Sequence, residues 1–478
     1  MNTQVLLLNA PITQTGNMMP ERPYFPLSLL FLAAHLRAHS IDVRIQDMQV
    51  LYSRNRCSDA AFSQLLDVRL PQITKAIVPD IFGIGCLFSG AFKNSILIAR
   101  KLKQLFPGVP TAIGGIHATV FSREILQRFA SIDYVVIGEG EESFLALVRA
   151  LRDNRSCDHI DGIAYRHRGE VKVNAKTRFI DDLDSLPDCD YSLVDLQHYR
   201  PDTSKWYSPM QPKIGQPFPL ITSRSCPNRC TFCSMWLVHG PRIRFRSAQR
   251  VLAEMEHLYH AYGARFFECM DDNMTFDKQR TLALCEGIHK RNLKIQFSTP
   301  NGLAVKTLDE ETVDALVGAG LIRVSLAIES GSPYIRNTIM RKGLSNDTIY
   351  RVLASCAKHA HLYITGYFII GMPEETEKTL ADTYAMMTSL PLDNVNVFFA
   401  TPYPGTELFD TCLRRNLLPY SREDYVTVRN LHYAAHVPHF EPTGVKQAEL
   451  IAFREKCRQY FQQKRQRLGR GPNLPLRA

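Results

Sequence analysis

Cys226, Cys230 and Cys233 lie in the string ITSRSCPNRCTFCSMW, with three residues between the first two and two between the second pair. Three thiolates can hold three irons of a cubane cluster, whereas a closed electron-transfer site uses four. The fourth iron would then be open to a ligand that is not protein. Zinc is the alternative chemistry, with His239 as a fourth ligand to offer. Structural zinc usually takes its ligands in paired short spacings, and no second pair follows here.

Such a loop needs rigid elements to hold it. Residues 220–222 read as a short strand end, with Pro219 at a tolerated first position, and the cysteines follow directly in a loop with Pro227 and Asn228. A loop after the first strand of a barrel lies at the carboxyl ends of the strands, where such folds place their chemistry. Candidate strands at 220–223, 265–270, 294–298, 321–327, 363–370 and 394–399 alternate with helices near 247–261, 277–291, 309–318, 345–359 and 375–389. Six such units predict an open, partial (β/α)6 barrel over 216–408. The remainder, 409–478, reads as a mostly helical extension with a basic tail; Leu431, Tyr433 and Phe440 within it are either core or substrate wall.

Ahead of the barrel, residues 1–175 also alternate strand and helix. Apolar runs at 5–8, 43–45, 81–85, 111–113 and 134–137 are separated by helical stretches at 27–38, 60–77, 91–105 and 141–151, and Pro26 suits the start of the first helix. Wholly apolar strands joined by helices predict a parallel sheet covered on both faces, a doubly wound Rossmann-like α/β domain. Short runs at 162–164 and 171–173 around Gly169 predict a closing hairpin. Such sheets bind ligands at the carboxyl ends of their strands. Asn9 and Pro11, Gly85, Gly114 and Gly115 with His117, and Gly138, Glu139, Gly140 and Glu141 gather at those ends. Glycine there lets backbone amides approach a bulky ligand; singly, each is equally a turn. An acidic segment broken by Pro187 predicts a linker over 176–215.

The triplet with Phe232 before its last cysteine resembles the radical S-adenosylmethionine (SAM) enzymes, and MDDNMTFDK, AIESGS, GYFIIGMPEET and TPYPGTEL extend the resemblance through most of the chain. GGIHAT followed by VVIGEGEESF resembles the cobalamin-binding domain that precedes the barrel in one large branch of that family. The resemblance implies a 4Fe-4S cluster on Cys226, Cys230 and Cys233. It also implies SAM contacts from Phe232, Asp271 and Asp272 (amino group), Glu329 and Ser330 (ribose and carboxylate), and Phe368, Ile370 and Gly371 (adenine). Asp271 and Asp272 could instead cap a helix before Phe276, and Ser330 could be a turn residue. Cobalamin falls to the strand-end set from Asn9 to Glu141. The Asp-x-His-x-x-Gly motif of other cobalamin proteins is absent from this crevice, which implies a cobalt without a histidine below it and His117 as a wall or hydrogen-bonding residue. The implied activity is transfer of a methyl group from methylcobalamin to an unactivated carbon after hydrogen abstraction by a 5'-deoxyadenosyl radical. Oxidative cyclisation or ring rearrangement on the same architecture is the alternative.

Bulk properties limit the partners. At 478 residues, 45% hydrophobic and 22% charged, the chain has the composition of a globular protein of two or three domains. Its apolar stretch at 25–36 is shorter than the ~20 residues a membrane span needs, and no basic leader precedes it, so it reads as cytoplasmic. The other nine of its 12 cysteines are scattered without a disulfide framework, as in a reducing compartment. Most of the net charge of +10 sits beyond residue 440, and a basic end containing Pro and Gly is commonly solvated. An RNA-modifying enzyme is thereby a second alternative, disfavoured because no second cysteine triplet and no small β-barrel module stand at the expected ends. The partners expected are a natural-product, lipid or tetrapyrrole type of small molecule and an electron donor such as flavodoxin or ferredoxin.

Overall fold

The computed structural model describes residues 3–12, 23–55, 58–75, 79–200, 216–427, 437–470 and 474–476. Cys57, Leu431, Tyr433 and the linker's second part, 201–215, lie outside these. The chain divides into two compact units, one of residues 1–199 with 234–240 and 420–432, the other of 200–233, 241–419 and 433–478.

In the first unit β1 (Gln4–Asn9), β2 (Asp42–Asp47), β3 (Ile81–Gly85), β4 (Thr111–Gly114) and β5 (Tyr134–Val136) are parallel. β6 (Ile163–His167) and β7 (Glu170–Asn174) extend the sheet as an antiparallel hairpin, giving the order β2-β1-β3-β4-β5-β6-β7. Strand order reverses between β1 and β3, which makes that point the ligand crevice of a doubly wound sheet. Val5, Leu6, Leu7 and Leu8 are buried, as an apolar strand covered on both faces must be. The amphipathic helix Gly140–Arg152 contributes Phe144, Leu145, Leu147 and Val148 to the core beneath. Three short helices were not expected: Met48–Arg54 after β2, and Ile116–Val120 and Ser122–Arg128 after β4, where the sequence showed a glycine turn.

In the second unit β8 (Pro217–Leu220) is followed by β9 (Ser223–Arg224) and β10 (Arg244–Phe245), which form a small antiparallel ladder of their own. β11 (Phe266–Cys269), β12 (Gln296–Leu303), β13 (Leu321–Glu329), β14 (Tyr363–Ile370) and β15 (Asn394–Phe399) complete a six-stranded parallel sheet in the order β15-β14-β13-β12-β11-β8. Strands in chain order joined by helices are the partial barrel expected. Its first strand lies three residues earlier than the sequence placed it. Among the described residues β8 pairs only with β11, which makes it an edge strand, a position that tolerates Pro217 and Pro219. β12 runs on through Pro300 to Leu303, with the register irregularity between Thr299 and Leu303 that such a proline imposes.

The basic end differs from the solvated tail expected. Gln447–Arg467 is one helix. Arg465 donates from Nη1 to the Leu474 carbonyl (2.7 Å) and from Nη2 to the Asp393 carbonyl (2.8 Å), and Leu476 N–H donates to Asp393 Oδ1 (2.6 Å). Arg454 stacks over Phe399 and Lys456 over Tyr384. Arg454, Lys456 and Arg465 therefore serve packing within their own unit. Among the described residues no helix is long and apolar enough to cross a membrane.

Candidate functional site

The cysteine loop is held at its base by the end of β11 and the helix after it, and at its tip by the helical segments Tyr334–Ile339 and Glu407–Arg414. At its base, Thr222 N–H (3.0 Å), Thr222 Oγ1 (2.9 Å) and Ser223 Oγ (2.6 Å) all donate to Asp271 Oδ1, and Arg280 donates to the Thr222 carbonyl (2.8 Å). At its tip, Thr231 N–H donates to the Met340 carbonyl (3.2 Å), Thr231 Oγ1 to the Ile339 carbonyl (2.9 Å), and Leu408 N–H to the Thr231 carbonyl (2.9 Å). Between these anchors Ser225, fully buried, takes φ +72°, a left-handed backbone that costs of order 1–3 kcal/mol in a non-glycine residue. The loop is thus forced into a shape its own residues do not favour.

Cys230 is buried, which pushes its thiol up, while Cys226 and Cys233 are half-buried. Cys226 acts electrostatically on Cys230, and Lys342 on Cys230 and Cys233, so the triplet shares one neighbourhood with that lysine. Among the described residues no three His, Cys, Asp or Glu side chains converge as a single ion requires; thiolates that each take a separate corner of a cubane need no such convergence. His239, the zinc alternative, directs Nδ1 to Glu139 Oε1 (3.1 Å) in the first unit.

The expected SAM residues divide into two groups. Asp271, Glu329 and Phe232 gather round the loop. Asp271 is buried, which raises its carboxyl, and its Oδ2 has no hydrogen-bond partner. It does not cap a helix; Asp277 caps Lys278–Lys290. Asp272, half-buried, follows it. Glu329 has φ +71° at the end of β13 and accepts from Lys342 Nζ at 2.6 Å in a buried ion pair. Burial opposes the charge of Lys342, but Glu329 and the Cys230 thiol more than offset this, so its ammonium titrates above the ordinary range. Phe232 packs with Ile335, Met340, Met372 and Leu408.

Ser330, Phe368 and Ile370 are engaged elsewhere. Ser330 Oγ meets Thr383 Oγ1 (3.1 Å) and accepts from Ser332 N–H (3.2 Å), the turn role open to a serine before glycine. Ile370 packs with Leu380, Phe399 and Leu450 towards the helices, and the two-residue period of β14 puts fully buried Phe368 on that same face. Their side chains therefore do not line the adenine floor expected of them. The β14 residue that joins the Phe232 cluster is Ile369. Gly371, at φ +84°, donates its N–H to Glu375 Oε2 (3.2 Å).

Sequence reasoning missed two side chains besides Ile369. Asn273 is fully buried, donates from Nδ2 to Cys226 Sγ (3.8 Å), and has no donor for Oδ1. It stood in the MDDNM string, overshadowed by the aspartates. Lys342 carried no motif signal. Asp271 Oδ2 and Asn273 Oδ1 are buried acceptors lacking donors, a strongly unfavourable state in a finished core and one that a ligand bearing an ammonium relieves. The residues present fit the cluster and SAM.

The first unit's crevice is arranged differently. His117 is buried, which lowers its imidazole to about 4; Nε2–H donates to the Val426 carbonyl (3.1 Å) and Nδ1 accepts from Ser89 (2.9 Å). Neither nitrogen remains for a metal. Asn9 donates to Asp47 (2.8 Å), the Pro11 carbonyl accepts from Asn94 (2.9 Å), and Glu139 accepts from Ile180 N–H (3.2 Å); Glu141 is buried. Gly115 (φ +114°) and Gly138 (φ +71°) are required by the backbone itself, and Gly85 packs on Leu29. Gly114 and Gly140 differ, since a Cβ there would meet nothing nearer than Val136 at 3.6 and 3.7 Å. That open backbone at the carboxyl ends of β4 and β5 suits a flat, bulky ligand such as a corrin.

Residues 220–387 match the radical SAM superfamily, and residues 20–148 the B12 binding domain. The chain is 32% identical over 394 residues to an uncharacterised methyltransferase of Pyrococcus horikoshii, spanning 82% of this chain and 79% of that one. It is 29% identical over 449 residues to the cytidylyl-2-hydroxyethylphosphonate methyltransferase of Streptomyces wedmorensis, spanning 87% and 82%. The radical SAM methyltransferase TsrM of Kitasatospora setae, solved with cobalamin and a [4Fe-4S] cluster, has the same fold, with a TM-score of 0.68 at 18% identity over 87% of this chain and 75% of that one. With its clamped cysteine loop on one parallel sheet and its glycine crevice on another, the chain belongs to the radical SAM superfamily, in the branch that carries a B12-binding domain, and is an enzyme that uses a 4Fe-4S cluster, SAM and cobalamin.

Proposed function

We propose that this enzyme methylates an unactivated carbon of a small molecule, with Cys226, Cys230 and Cys233 as cluster ligands. When bound, the cofactors supply a carbon-centred radical and a methyl group that ordinary nucleophilic methyl transfer cannot provide. The protein positions them. Asp271 and Thr231 fix the loop, Asp271 Oδ2 and Asn273 Oδ1 offer acceptors to the amino group of SAM, and Lys342 neutralises Glu329 beside the thiols. His117 holds the crevice wall and gives no ligand to cobalt.

The observation that carries this reading is the pairing, in one chain, of a three-thiol loop with buried unpartnered acceptors and a strand-end glycine crevice whose histidine is fully engaged. The polar residues of β13, β14 and β15 also speak to the substrate. Tyr367 Oη donates to the Pro300 carbonyl, and half-buried Ser325 and Asn396 stand on the two strands that flank β14, so this surface suits a molecule with hydrogen-bonding groups. An electron donor of the flavodoxin or ferredoxin class would reduce the cluster, and the scattered free thiols suit a reducing compartment such as the cytoplasm. The test is anaerobic turnover with methyl-labelled SAM and candidate substrates. Label in the product supports methyl transfer; a cyclised or rearranged product without label would replace it with the cyclase reading.

A further inference from the structure

We infer that Asn273 is a positioning residue that sets the reduction potential of the cluster through its hydrogen bond to Cys226. The inference rests on the three cysteines being the cluster ligands. Asn273 lies two residues after Asp271, so one strand end grips the loop twice: the carboxylate holds Thr222 and Ser223, and the amide reaches the first cysteine. Its side chain has no exposed surface, so the N–H cannot exchange this partner for water. The two halves of the amide are separate: Oδ1 has no donor and stays open to the amino group of SAM, while Nδ2 is committed to the sulfur.

A donor aimed at a ligating sulfur stabilises the more negatively charged, reduced state of a cluster, and hydrogen bonds to sulfur are among the levers that tune its potential. In low-dielectric surroundings the dipole acts more strongly than in water. One electron enters the cluster from the external donor and no proton need follow. Asn273 therefore eases the reduction that precedes SAM cleavage, without touching the substrate.

The experiment compares the wild-type chain with Asn273→Leu and Asn273→Asp after anaerobic reconstitution. Iron is counted, and the midpoint potential is read by electron paramagnetic resonance during redox titration without SAM. The leucine variant should keep about four irons per chain. At the wild-type midpoint its ratio of reduced to oxidised cluster should be about tenfold smaller, a fall of about 59 mV for a one-electron couple. The aspartate variant should fall further, because a carboxylate faces the sulfur. A fully loaded leucine variant with the wild-type midpoint overturns the inference. If that variant holds no iron, Asn273→Gln, which keeps an amide donor, must recover iron, and its failure to do so in a folded chain also overturns it. A wild-type chain that takes up no iron would instead reject the cysteine assignment on which the inference stands.

Discussion

The two cofactor regions are built on opposite plans. Round the cysteine loop the protein uses side chains: Asp271, Arg280, Asn273 and Thr231 clamp it, Ser225 and Glu329 accept left-handed backbone, and two buried acceptors remain without donors. In the glycine crevice the side chains are already paired, His117 with Ser89 and Val426, Asn9 with Asp47, Glu139 with Ile180 and His239, and it is backbone at Gly114 and Gly140 that stays open. A cluster that must be ligated, reduced and bound by SAM needs charged groups with unfinished bonding. A corrin held by shape needs a smooth surface in which every side chain has a partner.

The sharpest way to break this contrast is to remove one thiol. Cys230→Ala should abolish the cluster, taking iron from about four per chain to near zero, while cobalamin binding persists, as absorption spectra and iron analysis would show. Retained iron would mean the loop is not the ligand set. Gly115→Ala should have the reverse pattern. At φ +114° its new Cβ would stand 2.2 Å from the Cys86 carbonyl oxygen, so the first unit should lose about 3 kcal/mol or more, read as earlier urea unfolding and weakened cobalamin binding with iron content unchanged.

The same contrast explains what the sequence could disclose. Strand and helix periods, capping residues and strand-end glycines are local signals, so both parallel sheets, the closing hairpin and the cysteine loop were legible. Which glycine is needed by the backbone and which by a ligand was not, because Gly115 and Gly114 differ only in what lies 2–4 Å above them. Phe368 and Ile370 were misread for a related reason: a continuous apolar run hides which face of β14 meets the helices. The basic end misled because Arg465 finds its partners at Asp393 and Leu474, one of them seventy-two residues away. Asn273 needed the fold to bring it to Cys226.

Acidity should separate the two regions next. His117 has a folded value of about 4 against an ordinary 6.5, so the folded first unit holds fewer protons than the unfolded chain between those limits, and stability is lost as pH falls through that window. Glu375, fully buried in the second unit, is raised by burial from 4.5 to about 7; there the folded state holds the extra proton, and stability is lost as pH rises through that window. Each is worth about 3 kcal/mol across its range. Hydrogen exchange between pH 4.5 and 6.5 should therefore show protection rising in the first unit and falling in the second. Glu375→Gln should flatten the second trend; parallel trends in both units would contradict the assignment.

The smallest effect on folding is expected at Gly140, and it is the most informative about the crevice. Gly140 opens the helix Gly140–Arg152 with Glu139 as its cap, its backbone is ordinary, and an added methyl would meet only Val136 at 3.7 Å. Alanine there should leave the first unit unchanged or stabilise it by up to about 1 kcal/mol, because glycine is a poor helix residue. If the amides of this turn approach the corrin, the same methyl should weaken hydroxocobalamin binding at least about tenfold, or about 1.4 kcal/mol, in an absorbance titration. A variant that is stable and binds cobalamin as tightly as the wild type would show that the glycine serves only the turn, and would move the ligand surface to the neighbouring Gly114.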